Sequence, residues 1–402
     1  MKNKIRFLNL FALVSFNLLG CKLESNVANV SSEAAYSPAA QALIQRAFAP
    51  FKNDTLVDHH VHVLGMGNSG SGIEVHPNTQ SFLYPNKFTR FNYFMDASGI
   101  LNKNLADEEY LGYLFSQINA MPVPYQVLGL ALDKLYSATG EIDSDNFEIF
   151  VPNSYVFSLS EKYPDKMLAA ISVHPYRKDA VEELEKWAAQ GVHVVKWVPN
   201  AQGIDPASEL CDSFYEAMHR LDMTLLTHAG TEQALDSQGR QHLGNPLLLR
   251  RALEAKVKVI IAHCAISGES EDIDDPGRPD LDNFELFMRL FDNPKYEGLL
   301  FADISGMTLL SQVGDPLKIM LARVDLHHRL LYGSDYPLPA VSVLNQNLLL
   351  SFLDYIDEES LAALKEIQSR NPLLYNFVLV RSLKHPENGA QFSEDLFRNR
   401  IP

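Results

Sequence analysis

Eight short apolar runs set the architecture of this chain. They fall at 56–63, 126–133, 168–174, 192–198, 223–228, 257–263, 299–304 and 328–334, each of strand length. Helical spacing lies between them, as where Leu111, Leu114, Phe115 and Ile118 repeat at i, i+3, i+4 and i+7. Ser37-Pro38 predicts an N-cap and first helical position. Asp179 with Glu182 predicts a capping box on a helix that Gly191 stops. Asp205-Pro206 and Asp315-Pro316 mark two further helix starts. Strands alternating with helices imply a parallel sheet, and eight of them imply closure, so the predicted class is α/β, a (β/α)₈ barrel.

Five of these runs end in, or contain, polar side chains that suit a metal. Leu56-Val57-Asp58-His59-His60-Val61-His62-Val63 carries an H-x-H pair; others end in His228, His263 and Asp335, and Val192-His-Val-Val-Lys196 places a lysine likewise. Alternation of faces along a strand puts Asp58, His60 and His62 on one side and His59 on the other. A single buried histidine is usually a satisfied core residue, but four histidines and an aspartate at the ends of separate strands are not independent accidents. Neutral imidazole with carboxylate is the donor set of zinc and its neighbours.

The first residues read as an address. Lys2, Lys4 and Arg6 form a basic start, and Ile5 to Leu19 is mostly apolar and too short for a comfortable span. It closes on Leu18-Leu19-Gly20-Cys21, which resembles a bacterial lipobox. That resemblance implies a lipoprotein signal peptide over 1–21, lipid on Cys21, and, with Lys22 at the next position, an outer-membrane anchor facing the periplasm. A tether and short helix (22–50), the barrel (51–380) and a tail (381–402) follow. The remaining cysteines, Cys211 and Cys264, lack metal-like spacing and read as buried fillers, with a disulfide between them left open. A composition of 46% hydrophobic and 21% charged residues is ordinary for a globular chain, and the net charge of −16 argues against a nucleic-acid partner. Oligomeric state is not legible.

Asp58-x-His60-x-His62, Gly191-Val-His-Val-Val-Lys196, Leu226-Thr-His228-Ala-Gly230, Ile261-Ala-His263 and Tyr332-Gly-Ser-Asp335-Tyr-Pro resemble the amidohydrolase superfamily. The similarity is greatest to its amidohydrolase-related branch, that of aminocarboxymuconate-semialdehyde decarboxylase and many hydrolases. Tyr163-Pro-Asp-Lys and Asn371-Pro-Leu-Leu-Tyr extend it, so that it runs from about residue 55 to 380. The resemblance implies a TIM barrel with one divalent metal, zinc by preference, held at its C-terminal face by His60, His62, His228 and Asp335. It places His263 against substrate or the attacking water. Lys196 lies where binuclear members carry a carboxylated lysine bridging a second metal; an unmodified ammonium that is structural or binds a substrate carboxylate is the preferred reading.

The expected chemistry is hydrolysis of a C–N amide or an ester/lactone carbonyl in a small substrate. Asp335 would shuttle the proton and His263 would donate to the oxygen on which charge develops. Asp58 is expected to orient an imidazole. His174 and Arg177 are candidate contacts for an acidic substrate, and Asn200 is a further candidate. A decarboxylase using the same ligands is the alternative, for which Arg90, Arg177 and Arg278 are the candidate guanidinium groups; a non-catalytic binder is a third. The long connection 64–106 has a flexible-looking Gly65–Gly72 stretch followed by aromatic residues, and serves either as a lid or as a flank insertion. The acidic segment after strand six, from Glu269, reads as a solvated loop.

Overall fold

A computed structural model describes residues 35–310, 312–341 and 347–402. The expected signal peptide over 1–21 with Cys21, and most of the expected tether, lie outside the described residues.

Eight parallel strands close a ring, at the positions the apolar runs predict. They are β1 (Leu56–His62), β2 (Tyr125–Leu130), β3 (Met167–Ala170), β4 (Val194–Trp197), β5 (Thr224–Thr227), β6 (Lys258–Ile261), β7 (Leu300–Asp303) and β8 (Leu330–Leu331). Continuous ladders join β1-β2-β3 and β4-β5-β6-β7-β8. Parallel bridges between Ile171 and Val195, and between Val61 and Tyr336, complete the circle. A register shift between Asp58 and Val61 interrupts strict alternation on β1.

Leu128, Leu130, Ala170, Val194, Leu226, Ile260 and Leu331 fill the barrel interior, and Ile401 from the tail packs against them. The tail is therefore part of the barrel floor: Thr224 Oγ1 donates to the Pro402 carbonyl at 2.8 Å, and Asn399 Nδ2 to Leu330 O at 2.7 Å. Outside the ring, Trp197 stacks on Phe214 and Tyr215, the helix-facing side that alternation assigns it.

The helix Pro38–Phe48 begins as expected, with the Ser37 side chain accepting from Ala40 N. Ala106–Asn119 buries Tyr110, Leu114 and Ile118, and Asp315–Ala322 starts at Asp315-Pro316. Two helix starts differ. Asp179 precedes Ala180–Ala188 but caps nothing, because its carboxylate is taken by Arg177. Asp205 closes only a turn onto Ala207 N; the helix Asp212–Arg220 follows a 3₁₀ turn capped by Ser208. Cys211 and Cys264 are both free and buried.

The connection after β1 is ordered by one carboxylate. Asp107 accepts hydrogen bonds from Met66 N, Gly67 N, Ser69 N, Ser69 Oγ and Ser71 Oγ at 2.7 to 3.1 Å. Gly65 is needed here, since a Cβ would lie 2.3 Å from Asp107 Oδ1. Beyond it, Glu74–Val75 pairs with Ile149–Phe150, and helix Pro85–Ala97 reaches two more loops. Arg90 holds Glu148 through both carboxylate oxygens at 2.9 and 2.8 Å, while Lys87 pairs with Asp236 at 2.9 Å. Glu148 and Asp236 belong to the loops that leave the C-terminal ends of β2 and β5. The insertion is thus bound to the rim of that face and is not a flank addition.

Candidate metal centre

The C-terminal ends of six strands bring a buried His/Asp cluster together. His60 and His62 stand on β1 with ring centroids 5.1 Å apart, and His263 stacks on His60 at 5.0 Å. His228, one residue past β5, lies 5.5 Å from His263. Asp335 Oδ1 is 3.2 Å from His62 Nε2 and 3.6 Å from His60 Nε2. His263 and Asp335 have left-handed backbones, φ 57° and 59°, a conformation that costs a non-glycine residue about 1–3 kcal/mol. Asp335 N–H donates to His60 O at 3.0 Å, which helps to hold that turn against β1.

Three of the four imidazoles have a polar group behind them. His60 Nδ1 meets Asp303 Oδ2 at 2.9 Å, His228 Nδ1 lies 3.6 Å from Glu232 Oε2, and His263 Nδ1 meets Ser305 Oγ at 2.7 Å. Burial, with the Lys196 charge second, lowers the His60 pKa to about 3; burial likewise brings His228 down to about 4. Both rings are therefore neutral at physiological pH, the form that ligates metals. Burial alone would raise Asp335, but His263, His62 and His60 outweigh it and hold the carboxyl well below the usual range.

The residues fit a divalent ion. Ligand atoms of His60, His62 and Asp335 all lie within 4.8 Å of one another. His228 Nε2 is buried without a hydrogen-bond partner, an arrangement that calls for an unseen ligand. His60, His263 and Asp303 satisfy the same distance criterion, but Asp303 already receives His60 Nδ1, His263 N, Ser305 N and Ser305 Oγ. Its carboxylate is saturated, so it orients ligands.

Lys196 also enters the cluster. It is buried, with Nζ 3.2 Å from His60 Nε2. Burial lowers its pKa, opposed by Asp303, Asp335 and Glu232.

Other residues take different places. Asp58 holds no imidazole: it accepts from His60 N, Ser334 N and Tyr125 OH and ties β1 to β8. Asp303 does what Asp58 was expected to do. His174 is occupied by the backbone, through Gln202 O at 2.9 Å and Tyr176 N at 3.1 Å. Arg177 is locked between Asp133 and Asp179. Neither joins the cluster. Asn200 braces the loop after β5, donating to Gly230 O at 3.1 Å. Arg278 pairs with Glu271, and the acidic segment forms a short hairpin, Glu269–Glu271 with Asp280–Asp282, whose aspartates meet Arg250 and Arg289.

Asp303, Glu232 and Ser305 were not singled out from sequence. Asp303 could have been, since it ends the run Leu299-Leu-Phe-Ala-Asp303 as the others end theirs. Glu232 and Ser305 lie in loops and carry no periodic signal. Access to the cluster runs past His62, whose side chain is 38% exposed against 8–12% for Asp335, His228 and His263.

A (β/α)₈ barrel with a His/Asp centre at its C-terminal mouth defines the class, and the family profile agrees. The amidohydrolase family profile (Amidohydro_2) matches residues 57–363, most of the chain. The protein belongs to the amidohydrolase family. No curated protein matches it. Solved structures similar to it include an uncharacterised TIM-barrel protein from Bordetella bronchiseptica, with 15% identity over 81% of this chain and 99% of that one, TM-score 0.47. A putative 2-pyrone-4,6-dicarboxylic acid hydrolase from Pseudomonas putida shows 16% identity over 80% and 98%, TM-score 0.45. A 5-carboxyvanillate decarboxylase from Sphingomonas paucimobilis shows 10% over 86% and 99%, TM-score 0.47.

Proposed function

We propose that this protein is a metal-dependent hydrolase that opens a C–N amide or an ester/lactone bond in a small substrate. His60, His62, His228 and Asp335 would hold one divalent ion, zinc by preference. When bound, such an ion acidifies water and polarises a carbonyl. The observation that carries the reading is the pairing of an ionised Asp335 with His263, whose ring nitrogen lies 4.0 Å from it. A carboxylate base within the ligand set and a fifth polar side chain outside it exceed what holding an ion requires. Asp335 accepts a proton from the attacking water and returns it to the leaving atom. Lys196, unmodified, is read as a structural cation that also suits a substrate carboxylate.

Decarboxylation in the same site would call for an arginine close to the metal, and Arg90, Arg177 and Arg278 are each paired with a carboxylate outside the cluster. That favours hydrolysis. Cys21, lipidated, would anchor the protein in the cell envelope, at the outer membrane facing the periplasm; Cys21→Ser should shift it from the membrane to the soluble fraction.

The test is elemental analysis of the purified protein with a panel of esters, lactones, N-acyl amino acids and aromatic acids. We expect one metal per chain, turnover of an ester, lactone or amide, and loss of both metal and turnover in His60→Ala. Two metals per chain would instead support a carboxylated Lys196. CO₂ release from an aromatic acid without any hydrolysis would sink the hydrolase reading.

A further inference from the structure

The hydrogen bonds around Asp303 fix the direction of a proton chain that ends on His263. Asp303 Oδ1 receives the backbone N–H of His263 at 2.9 Å and that of Ser305 at 3.0 Å. Backbone N–H groups only donate, so Oδ1 is an acceptor. The Ser305 hydroxyl, in contact with the same oxygen, must then spend its single hydrogen there. It turns a lone pair to His263 Nδ1, 2.7 Å away. The Ser305 carbonyl, 3.3 Å from the same nitrogen, can also only accept. Two acceptors facing Nδ1 assign its hydrogen to that atom, a tautomer read from the network. The neutral ring therefore keeps its lone pair on Nε2.

From this geometry we propose that Ser305 is a positioning residue that holds His263 in the Nδ1–H tautomer, with Nε2 left as a hydrogen-bond acceptor. The sequence reading gave His263 the opposite polarity, as a donor to the developing oxyanion. As an acceptor it takes one O–H of the attacking water and aims the water, while Asp335 removes the other proton. His263 gains and loses no proton in this step. Gly306, the next residue, has φ 68°, a left-handed backbone that favours glycine at this turn. Ser305 and Asp303 are buried, so bulk water does not compete for the chain. Through Asp303 Oδ2 and Oδ1 the same carboxylate sets both His60 and His263, coupling ligand geometry to water geometry.

The assignment of His263 to water rests on the hydrolase reading; the tautomer does not. The test is ¹⁵N NMR of the full chain labelled at histidine and loaded with zinc, with His263 identified by comparison with His263→Asn. We expect a protonated Nδ1 and an unprotonated Nε2. Ser305→Ala, which leaves only the backbone carbonyl facing Nδ1, should weaken that preference and lower kcat about 10- to 100-fold, with KM and zinc content little changed. Ser305→Thr, which keeps the hydroxyl, should recover most of kcat. A wild-type His263 protonated at Nε2 would overturn the proposal without any variant. So would a Ser305→Ala protein with unaltered tautomer and kcat. If the tautomer is as assigned and no substrate is hydrolysed, the hydrolase reading fails and the role of Ser305 in setting His263 stands.

Discussion

Asp335 is asked to do two things, and one substitution separates them. It stays ionised because neighbouring imidazoles outweigh the cost of its burial, so it is available as a base far below neutral pH. Asp335→Asn keeps the shape and one ligating oxygen but removes basicity. The expected protein folds and retains metal, perceptibly less tightly, while turnover falls by a factor on the order of 10² to 10⁴. Metal content and kcat measured on the same preparation check this, and near-normal turnover with metal present would remove Asp335 from proton transfer. At this scale the sequence was legible wherever a polar side chain ended an apolar run. His60, His62, Lys196, His228, His263 and Asp335 all converge on one cluster. It was misleading for His174 and Arg177, whose partners, Gln202 O, Asp133 and Asp179, depend on how loops fold back.

At the scale of elements, the connection after β1 shows how composition misleads. A stretch with four glycines and two serines looks unstructured, yet Asp107, about 40 residues away, receives five hydrogen bonds from it. Burial would raise the Asp107 pKa, but hydrogen bonds from Ser71, Ser69 and Met66 outweigh that and leave it below the usual carboxylate value. A carboxylate depressed on folding stabilises the native state above its unfolded pKa, near 3.9, and that contribution is lost as pH falls through the lower folded value. The segment 65–72 should accordingly gain amide exchange on acidification below about pH 4, before the barrel strands do. Asp107→Ala should produce the same local opening at neutral pH and cost roughly 1–3 kcal/mol, the penalty for orphaned buried donors. Hydrogen exchange by mass spectrometry reads both. Unchanged protection of 65–72 in the variant would mean that the loop is held by something else.

For the whole molecule, the floor of the barrel is closed by the last residues of the chain, which meet the start of β1 there. Ile401 packs against the interior layer, and Thr55 O accepts from Arg400 beneath β1. Ile401→Ala should lower stability by about 1–2 kcal/mol, less than the 2–5 kcal/mol of a fully buried isoleucine because Ile401 is only half-buried. Thermal melts check this, with metal content expected to stay at wild-type level because the floor lies at the opposite end from the cluster. An unchanged melting temperature would deny the tail a role in the floor.

The sequence by itself determined the strands, their number and the residues that end them, because strand-length apolar runs between helical patterns build a parallel sheet and eight of them suffice to close it. It also determined which side chains could reach a common centre, since every strand of such a barrel delivers its last residues to the same face. Only the tertiary structure decided how those side chains are held. Asp303 and not Asp58 backs His60, because a register shift in β1 and the turn at Ser334 draw Asp58 onto backbone N–H groups. Glu232 and Ser305 stand behind His228 and His263 because loops of no periodic pattern fold back over the strand ends. Hydrogen-bond direction is a property of the assembled network, and no spacing along a chain encodes which nitrogen of an imidazole carries the proton.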